Sequence, residues 1–524
     1  MIEITGQSYI AGNWVAPGGE SFQSFNPYNK ESMYHFTSCG TDEIEQATLA
    51  AESACQSYRN FDGKAIGHFI NTIADEIEAL GDQLLEVADS ETGLGLVRLT
   101  GERGRTCAQL RAFADLAVKS EWVQASIDTA IPDRVPVPKP DLRRMMKGIG
   151  PVAVFGASNF PFAFSTLGGD TASALAAGNP VIVKGHPAHP ATSELFAHAV
   201  ANAVEKCGVA SGVFSLLQGT GYELGSELVR HPVVQAVGFT GSEGGGRALM
   251  DIAAVRPQPI PVFAEMGSIN PLFIGPNTLK TQGEDIAAGL SGSVCMGTGQ
   301  FCTSPGLAVS VANEAFETAL KRALSEAPRG YLLNPQIASS LQQGLKRLGN
   351  KPHVEWLNKA NFDEGSMTPP NAVFKTSARN FLADTSLSEE VFGPVTIYVV
   401  CDDEAQMMKI ARNLNGNLTA SIHAEDDTEL AVKLCNVLEQ KAGRVIFNGF
   451  PTGVEVCPSQ QHGGPYPASS VSTATSVGIG AITRFARFIA YQDTPNDLLP
   501  DALKNENPLG IYRLVNGVLS KDSI

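Results

Sequence analysis

Cys302 stands in the run Cys295-Met-Gly-Thr-Gly-Gln-Phe-Cys302-Thr-Ser-Pro, among small, Gly-rich neighbours and two residues after Gln300. Such neighbours let a substrate come close to the sulfur, and backbone N–H groups can surround an oxyanion that forms beside it. No second cysteine is spaced for a disulfide or a metal, and no metal site is expected. On this stretch alone a buried, inert thiol is the commoner outcome. Upstream, Glu265 lies in Phe263-Ala-Glu265-Met-Gly-Ser-Ile-Asn-Pro271, flanked by apolar and small residues. A carboxyl in that setting is expected to have a raised pKa and could serve as a general base. A salt-bridged or capping glutamate would read the same way. Taken together, the two stretches describe a nucleophile and its base.

A second group of residues could hold a phosphorylated ligand. No G-x-G-x-x-G follows any strand-like run. Instead Gly238-Phe-Thr240-Gly241-Ser242-Glu-Gly-Gly-Gly246 closes a strand and opens a helix. The exposed N–H groups and dipole of such a helix start suit a pyrophosphate, although a plain tight turn has the same composition. Lys184 ends the apolar run Val181-Ile-Val-Lys184, where a parallel sheet binds its ligands, or else it is an ordinary solvated lysine. Asn159 follows Pro151-Val-Ala-Val-Phe155 within Ala157-Ser-Asn-Phe-Pro161. Its amide could donate to an oxyanion or merely shape a turn.

The elements that must position these groups follow an α/β rhythm. Apolar runs at 151–155, 181–184, 213–217 and 233–239 alternate with helical patterns at 165–177 and 191–206. That alternation predicts a parallel sheet over about 150–264. A second α/β block is expected from Glu265 to about Ser476, with strands at 307–311, 395–400 and 444–448. Ahead of both, residues 1–35 read as short strands, and 41–113 as helices with apolar residues three and four apart. Ile131-Pro-Asp-Arg-Val-Pro-Val-Pro-Lys-Pro140 cannot sit in a sheet centre and reads as an extended excursion or edge hairpin. Residues 483–503 read as a return to the surface.

With 524 residues the chain suits two or three domains. Its net charge of −16 argues against nonspecific nucleic-acid or anionic-membrane binding. Nine cysteines without a C-x-x-C pair favour free thiols in a reducing compartment. The N-terminus lacks a signal-peptide pattern and no apolar run spans a membrane, so a cytoplasmic location is expected.

The motifs Ser158-Asn-Phe-Pro161, Val183-Lys184, Gly238-Phe-Thr-Gly-Ser242, Glu265-Met-Gly, Gly299-Gln-Phe-Cys302 and Glu390-Val-Phe-Gly-Pro394 resemble those of the aldehyde dehydrogenase superfamily, in its order and spacing. The resemblance covers nearly the whole chain. It implies a Rossmann-type cofactor domain (1–127 and 149–264), an α/β catalytic domain (265–476) and β bridging segments (128–148 and 483–503) that make a homodimer or homotetramer. It also implies Cys302 as nucleophile, Glu265 as hydrolytic base and Asn159 as oxyanion donor. Lys184 would hold the adenosine ribose, and Thr240, Gly241 and Ser242 the pyrophosphate. Glu390 would hold the nicotinamide ribose, with Phe392 packing nearby.

The sequence departs from the family in informative places. Lys184-Gly-His186-Pro lacks the ribose-binding Glu found three residues after the lysine in many NAD-using members. Without it a 2′-phosphate is tolerated and could pair with Lys184 or His186, which points to NADP, with NAD as a second cofactor. The usual Lys of E-L-G-G-K is absent from Glu265-Met-Gly-Ser-Ile269. Gln460-Gln-His462-Gly-Gly-Pro465 and Gly101-Glu-Arg-Gly-Arg-Thr106 fit the branch acting on 2,5-dioxopentanoate or on long-chain aldehydes, whereas Gly95-Leu-Val-Arg98 is off its common pattern. An oxo-acid semialdehyde needs a cation at the far end of its tunnel. Arg105 falls on the substrate-lining helix, with Phe160 and Leu167 on another wall. Arg105 could equally be a salt-bridge residue, and His462 could line the site, assist proton transfer or be a plain loop histidine.

The leading expectation is therefore NADP-dependent oxidation of 2,5-dioxopentanoate to 2-oxoglutarate. Oxidation of medium or long aliphatic aldehydes is the alternative. An acyl-phosphate reductase is disfavoured by Glu265, and a non-catalytic binding protein by the intact Cys302, Glu265 and Asn159.

Overall fold

The protein is described here by a computed structural model that covers residues 1–524. Two seven-stranded sheets and one five-stranded sheet organise the chain, with a small hairpin, Ser21–Phe25 and Ser32–Thr37, set apart. The first sheet has a parallel core of Val262–Glu265, Ala236–Thr240, Val152–Phe155, Val181–Lys184 and Phe214–Leu217, in that order. Ser8–Ile10 joins its far edge antiparallel and pairs in turn with Asn13–Val15. Val152–Phe155 is buried along its length, as strands covered by helices on both faces must be. Along the chain, strands are added outward from Val152–Phe155 until Phe214–Leu217, after which Ala236–Thr240 returns to its other side. The two loops that leave this switch point diverge and open a crevice at the strand C-termini.

The second sheet runs Glu355–Trp356, Ala372–Ser377, Val395–Cys401, Leu307–Val311, Pro271–Ile274, Asn417–His423, Ala442–Phe447. Glu265 ends a strand of the first sheet, and Pro271 begins one of the second. The C-terminal ends of one sheet therefore lie across a cleft from the N-terminal ends of the other. Cys302 precedes Leu307–Val311 on the far bank of that cleft.

The helix Leu96–Lys119 flanks the cleft. Its buried face carries Leu99, Leu110, Phe113 and Ala117, while Arg98, Glu102 and Arg105 project from neighbouring turns. Residues 165–177 were expected to be helical throughout, but the helix spans only Gly169–Ala176. Glu102 accounts for the delay: its Oε1 accepts the backbone N–H groups of Phe162 (2.9 Å) and Ala163 (3.0 Å) and holds that loop in turns.

The five-stranded sheet takes Ser126–Asp128, which largely precedes the first expected bridging segment, together with Leu142–Gly148 and Ala486–Gln492 from within the two segments. The proline-rich excursion between the first two closes with a bridge from Ile131 to Lys139. A C-terminal hairpin, Arg513–Val515 and Val518–Ser520, completes this sheet. It was not expected from the sequence, although its turn is Asn516-Gly517 with both residues at positive φ, a strong two-residue hairpin signal. No helix is long and apolar enough to cross a membrane.

Candidate active site

Thr240 and Glu265 are register partners on adjacent strands, so the Gly-rich turn and the acidic residue emerge side by side. The backbone N–H of Gly241 donates to the Glu265 carbonyl at 3.1 Å. A cavity of about 360 Å³ opens here, and Asn159, Phe160, His186, Thr240, Gly241 and Ser242 form one part of its wall. Glu265, Cys302, Glu390 and Phe392 line it as well. The cavity thus brings together ten of the residues singled out in the sequence.

On the first bank, Ser242 caps the helix Glu243–Ala254, its Oγ accepting the Gly245 N–H at 3.2 Å. The helix start faces open space, which suits an anion. Lys184 ends its strand without an ion pair, and burial lowers its pKa to about 8. His186 stacks on His189 with ring centres 5.5 Å apart. Burial, then the charges of His189 and Lys184, push its pKa well below the ordinary imidazole value. His186 is therefore held toward its neutral form, which favours hydrogen bonding over charge pairing beside a phosphate. Because Nδ1 accepts the Ala188 N–H at 3.1 Å, the ring proton resides on Nε2 and remains available for donation. An uncompensated buried lysine, a helix start and a neutral imidazole donor fit a phosphorylated dinucleotide.

On the second bank the backbone around the thiol is sharply bent. Gly297, Thr298 and Gly299 all have positive φ, and a side chain on Gly299 would run into the Gly393 backbone at 2.1 Å. Gln300 is fully buried and ties this turn down. Its Nε2 donates to the Tyr331 carbonyl (3.0 Å) and its Oε1 accepts the Leu333 N–H (3.0 Å). Asn270 clamps the other side, donating to the carbonyls of Cys302 (2.8 Å) and Ser304 (2.9 Å). Asn159 reaches over from the first bank, its Nδ2 donating to the Gln300 carbonyl at 2.9 Å. Its own carbonyl accepts from Arg98 Nη2 at 2.6 Å. Asn159 is thereby fixed within reach of a tetrahedral oxygen built on Cys302.

The loop that follows Ala442–Phe447 returns beneath Glu265 and contributes His462 and Ser476. His462 Nε2 donates to Glu265 Oε1 at 3.0 Å and lies 3.6 Å from Cys302 Sγ. Ser476 Oγ donates to the other carboxylate oxygen at 2.5 Å. Burial disfavours the charged form of Glu265. The His462 charge and the hydrogen bonds from His462, Ser476 and Cys302 outweigh it, so the carboxyl is held below the ordinary range. This reverses the raised pKa expected from apolar sequence neighbours, because the compensating donors lie about 200 residues away. The Cys302 thiol behaves oppositely. Burial first, then the Glu265 and Glu390 carboxylates, raise its pKa well above the ordinary value, against a smaller lowering by Arg105. Burial also brings the Glu390 carboxyl up to about 7.

Arg105 lies over the Phe164 ring at 5.0 Å and has a buried Nη1 without a hydrogen-bond partner. It senses the charges of Glu102, Cys302, Glu265 and Glu455 and is not a surface salt-bridge residue. Arg98 is held between Phe160 and Phe301, 4.9 Å from each ring centre. Arg444 also acts electrostatically on Cys302, with Nη2 donating to the Pro451 carbonyl at 2.7 Å. Leu167 is a correction: it is fully buried in the main hydrophobic core and is not among the cavity's lining residues. It leads into the buried helix Gly169–Ala176 and packs in the same core as that helix. Sequence reading did not assign roles to Asn270, Ser476, Arg98, Glu102 or Arg444. Only Asn270 left a local sign, an Asn before Pro271 that adopts positive φ (47°).

A model of the aldehyde dehydrogenase family matches residues 14–476. The chain is 47% identical to alpha-ketoglutaric semialdehyde dehydrogenase 2 of Azospirillum brasilense, over 98% of this chain and 99% of that protein. It is 46% identical to alpha-ketoglutaric semialdehyde dehydrogenase of Acinetobacter baylyi (strain ATCC 33305 / BD413 / ADP1), over the whole of both chains. Among solved structures, 3,6-anhydro-L-galactose dehydrogenase in complex with NAP superposes with a TM-score of 0.79 at 20% identity, over 93% of this chain and 99% of that one. The last comparison shows the shared fold.

Proposed function

We propose that this chain, which belongs to the aldehyde dehydrogenase family, uses NADP to oxidise 2,5-dioxopentanoate, the semialdehyde of 2-oxoglutarate, to 2-oxoglutarate. Family membership makes it a nicotinamide-dependent aldehyde oxidoreductase. The choice of substrate rests on Arg105, a buried cation that acts electrostatically on Cys302 and whose Nη1 has no internal partner. A substrate carboxylate would satisfy it through a charge-assisted bond. The two relatives named for this semialdehyde, each matched over nearly its full length, support the same reading. The preference for NADP rests on Lys184, buried without a carboxylate partner.

The residues divide the reaction as follows. Cys302 gives up its proton toward the Glu265–His462 pair, and its sulfur attacks the aldehyde carbon. The Asn159 amide and the Cys302 backbone N–H receive the oxyanion of the tetrahedral thiohemiacetal. A nicotinamide, when bound, supplies the hydride acceptor. Glu265, ionised and ordered by His462 and Ser476, then activates the water that releases the acid from the Cys302 thioester. Phe160, Phe164 and Phe301 shield this site from bulk water. We further place the enzyme in the cytoplasm as a homodimer or homotetramer that associates through the five-stranded sheet.

The test follows NADPH formation from 2,5-dioxopentanoate and from a long-chain alkanal, for wild type and Arg105→Ala. Loss of a charged hydrogen bond should lower kcat/KM for the oxo-acid roughly 10- to 100-fold and leave the alkanal nearly unchanged. If the alkanal is the better substrate of the wild type, the aliphatic reading replaces this one.

A further inference from the structure

The three groups that the reaction uses in turn also form a chelating set. Cys302 Sγ, His462 Nε2 and a Glu265 carboxylate oxygen lie within 4.8 Å of one another, the one grouping of His, Cys and carboxylate donors this compact in the chain. Zinc binds sulfur at about 2.3 Å and nitrogen or oxygen at about 2.0–2.1 Å, so a tetrahedral ion sets S and N about 3.6 Å apart and N and O about 3.3 Å apart. The observed separations are 3.6 Å and 3.0 Å. The donors already stand close to where an ion would hold them. Cys302 and Glu265 also line the cavity, which leaves a fourth position open to water or ligand.

We propose that the cofactor-free enzyme takes up a divalent cation of the Zn²⁺ class between Cys302 Sγ, His462 Nε2 and Glu265 Oε1, and that this ion switches it off. As the metal bonds form, the thiol proton leaves to solvent and the His462 Nε2 proton moves to the unpartnered Nδ1, with no change in oxidation state. A ligated sulfur cannot attack an aldehyde, and a ligated carboxylate cannot activate water. Thiolate and imidazole donors select Zn²⁺ or Co²⁺ over Mg²⁺ and Ca²⁺, which prefer all-oxygen sites. His462 Nδ1 has no hydrogen-bond partner, so the outer support typical of a resident zinc ligand is missing. The site is thus suited to an ion that comes and goes.

The experiment needs neither substrate nor cofactor, so its outcome is independent of the assigned aldehyde. Chelator-treated protein is titrated with Co²⁺ alone, reading thiolate-to-cobalt charge transfer and the visible bands of tetrahedral cobalt. One Co²⁺ per chain is expected, displaced by Zn²⁺ and not by Mg²⁺. Cys302→Ser should abolish the thiolate band, and His462→Gln should weaken binding by at least about 10-fold. Glu265→Gln serves as the second ligand variant should His462→Gln not fold, folding being judged by thermal melting and NADP binding. Zn²⁺ should also inhibit wild-type turnover in a manner reversed by chelator. A thiolate band that survives Cys302→Ser, equal affinity in the His462 or Glu265 variant, displacement by Mg²⁺, or no band in excess Co²⁺ would each overturn the proposal.

Discussion

The two banks of the cleft are built on opposite plans. The cofactor bank is made of strand ends and a helix start that leave polar groups unpartnered: Lys184 without an ion pair, the Ser242 helix start, His186 Nε2. The thiol bank is closed on itself. Glu265 spends both carboxylate oxygens on His462 and Ser476, Asn159 spends its amide on Gln300, and Asn270 holds the Cys302 carbonyl. One bank awaits a ligand to satisfy it, whereas on the other Glu265 and Asn159 already hold partners at rest. Reactivity on the second bank therefore competes with existing bonds, and in the acylated enzyme water must reach a Glu265 lone pair that His462 and Ser476 leave free.

Glu265→Gln breaks the closed bank most severely. Loss of a general base should slow thioester release by about 10²- to 10⁴-fold. A burst of reduced cofactor should remain, because without the carboxylate's charge the Cys302 proton can leave to solvent. The same variant also removes the negative charge that raises the Cys302 pKa. Alkylation of Cys302 by iodoacetamide should therefore begin at lower pH than in wild type. An unchanged alkylation profile would mean that the carboxylate and the thiol are not coupled.

Lys184→Ala tests the open bank. A charged bond to a phosphate is worth about 1.5–3 kcal/mol, so NADP affinity should fall roughly 10- to 100-fold and NAD affinity much less. The pH dependence has a definite sign. With a pKa of about 8, Lys184 is a cation below that value and neutral above it. The Kd for NADP should rise as pH passes upward through about 8, and the Kd for NAD should follow it only weakly. Parallel behaviour of the two cofactors would detach Lys184 from the 2′-phosphate.

The same contrast explains what the sequence could disclose. Thr240-Gly241-Ser242 reach the cavity, and Lys184 lies two residues before its lining residue His186, through local rules alone, at the ends of strands whose apolar runs were readable. Cys302 and Glu265 stood out because small or apolar neighbours surround them. Their charges did not. The downward shift of Glu265 comes from His462 and Ser476, and the upward shift of Cys302 partly from Glu390. No periodicity links such distant positions. Leu167 failed for a related reason: an apolar residue near an aromatic wall has the same local pattern whether it faces the cavity or the core. Glu102 shows the converse, a helix residue that sets where the next helix begins through two long-range bonds.

Ser476→Ala is the mildest way to loosen the closed bank and the most discriminating. The serine hydroxyl donates to Glu265 Oε2, opposite the His462 bond, and so contributes to keeping the carboxyl ionised. Removing it lets the carboxyl pKa move upward, and the base is then protonated over a wider acid range. Thioester hydrolysis should be a few-fold slower at the acid end of the profile, in keeping with one hydrogen bond worth about 1 kcal/mol. At the alkaline end, where the carboxylate is ionised regardless, the loss should vanish. A carboxylate freed on one side is also quicker to meet water, so the alkaline rate can equal or exceed that of wild type. A uniform loss across pH would instead mean that Ser476 positions Glu265 without affecting its charge, and the closed bank would then be a matter of geometry alone.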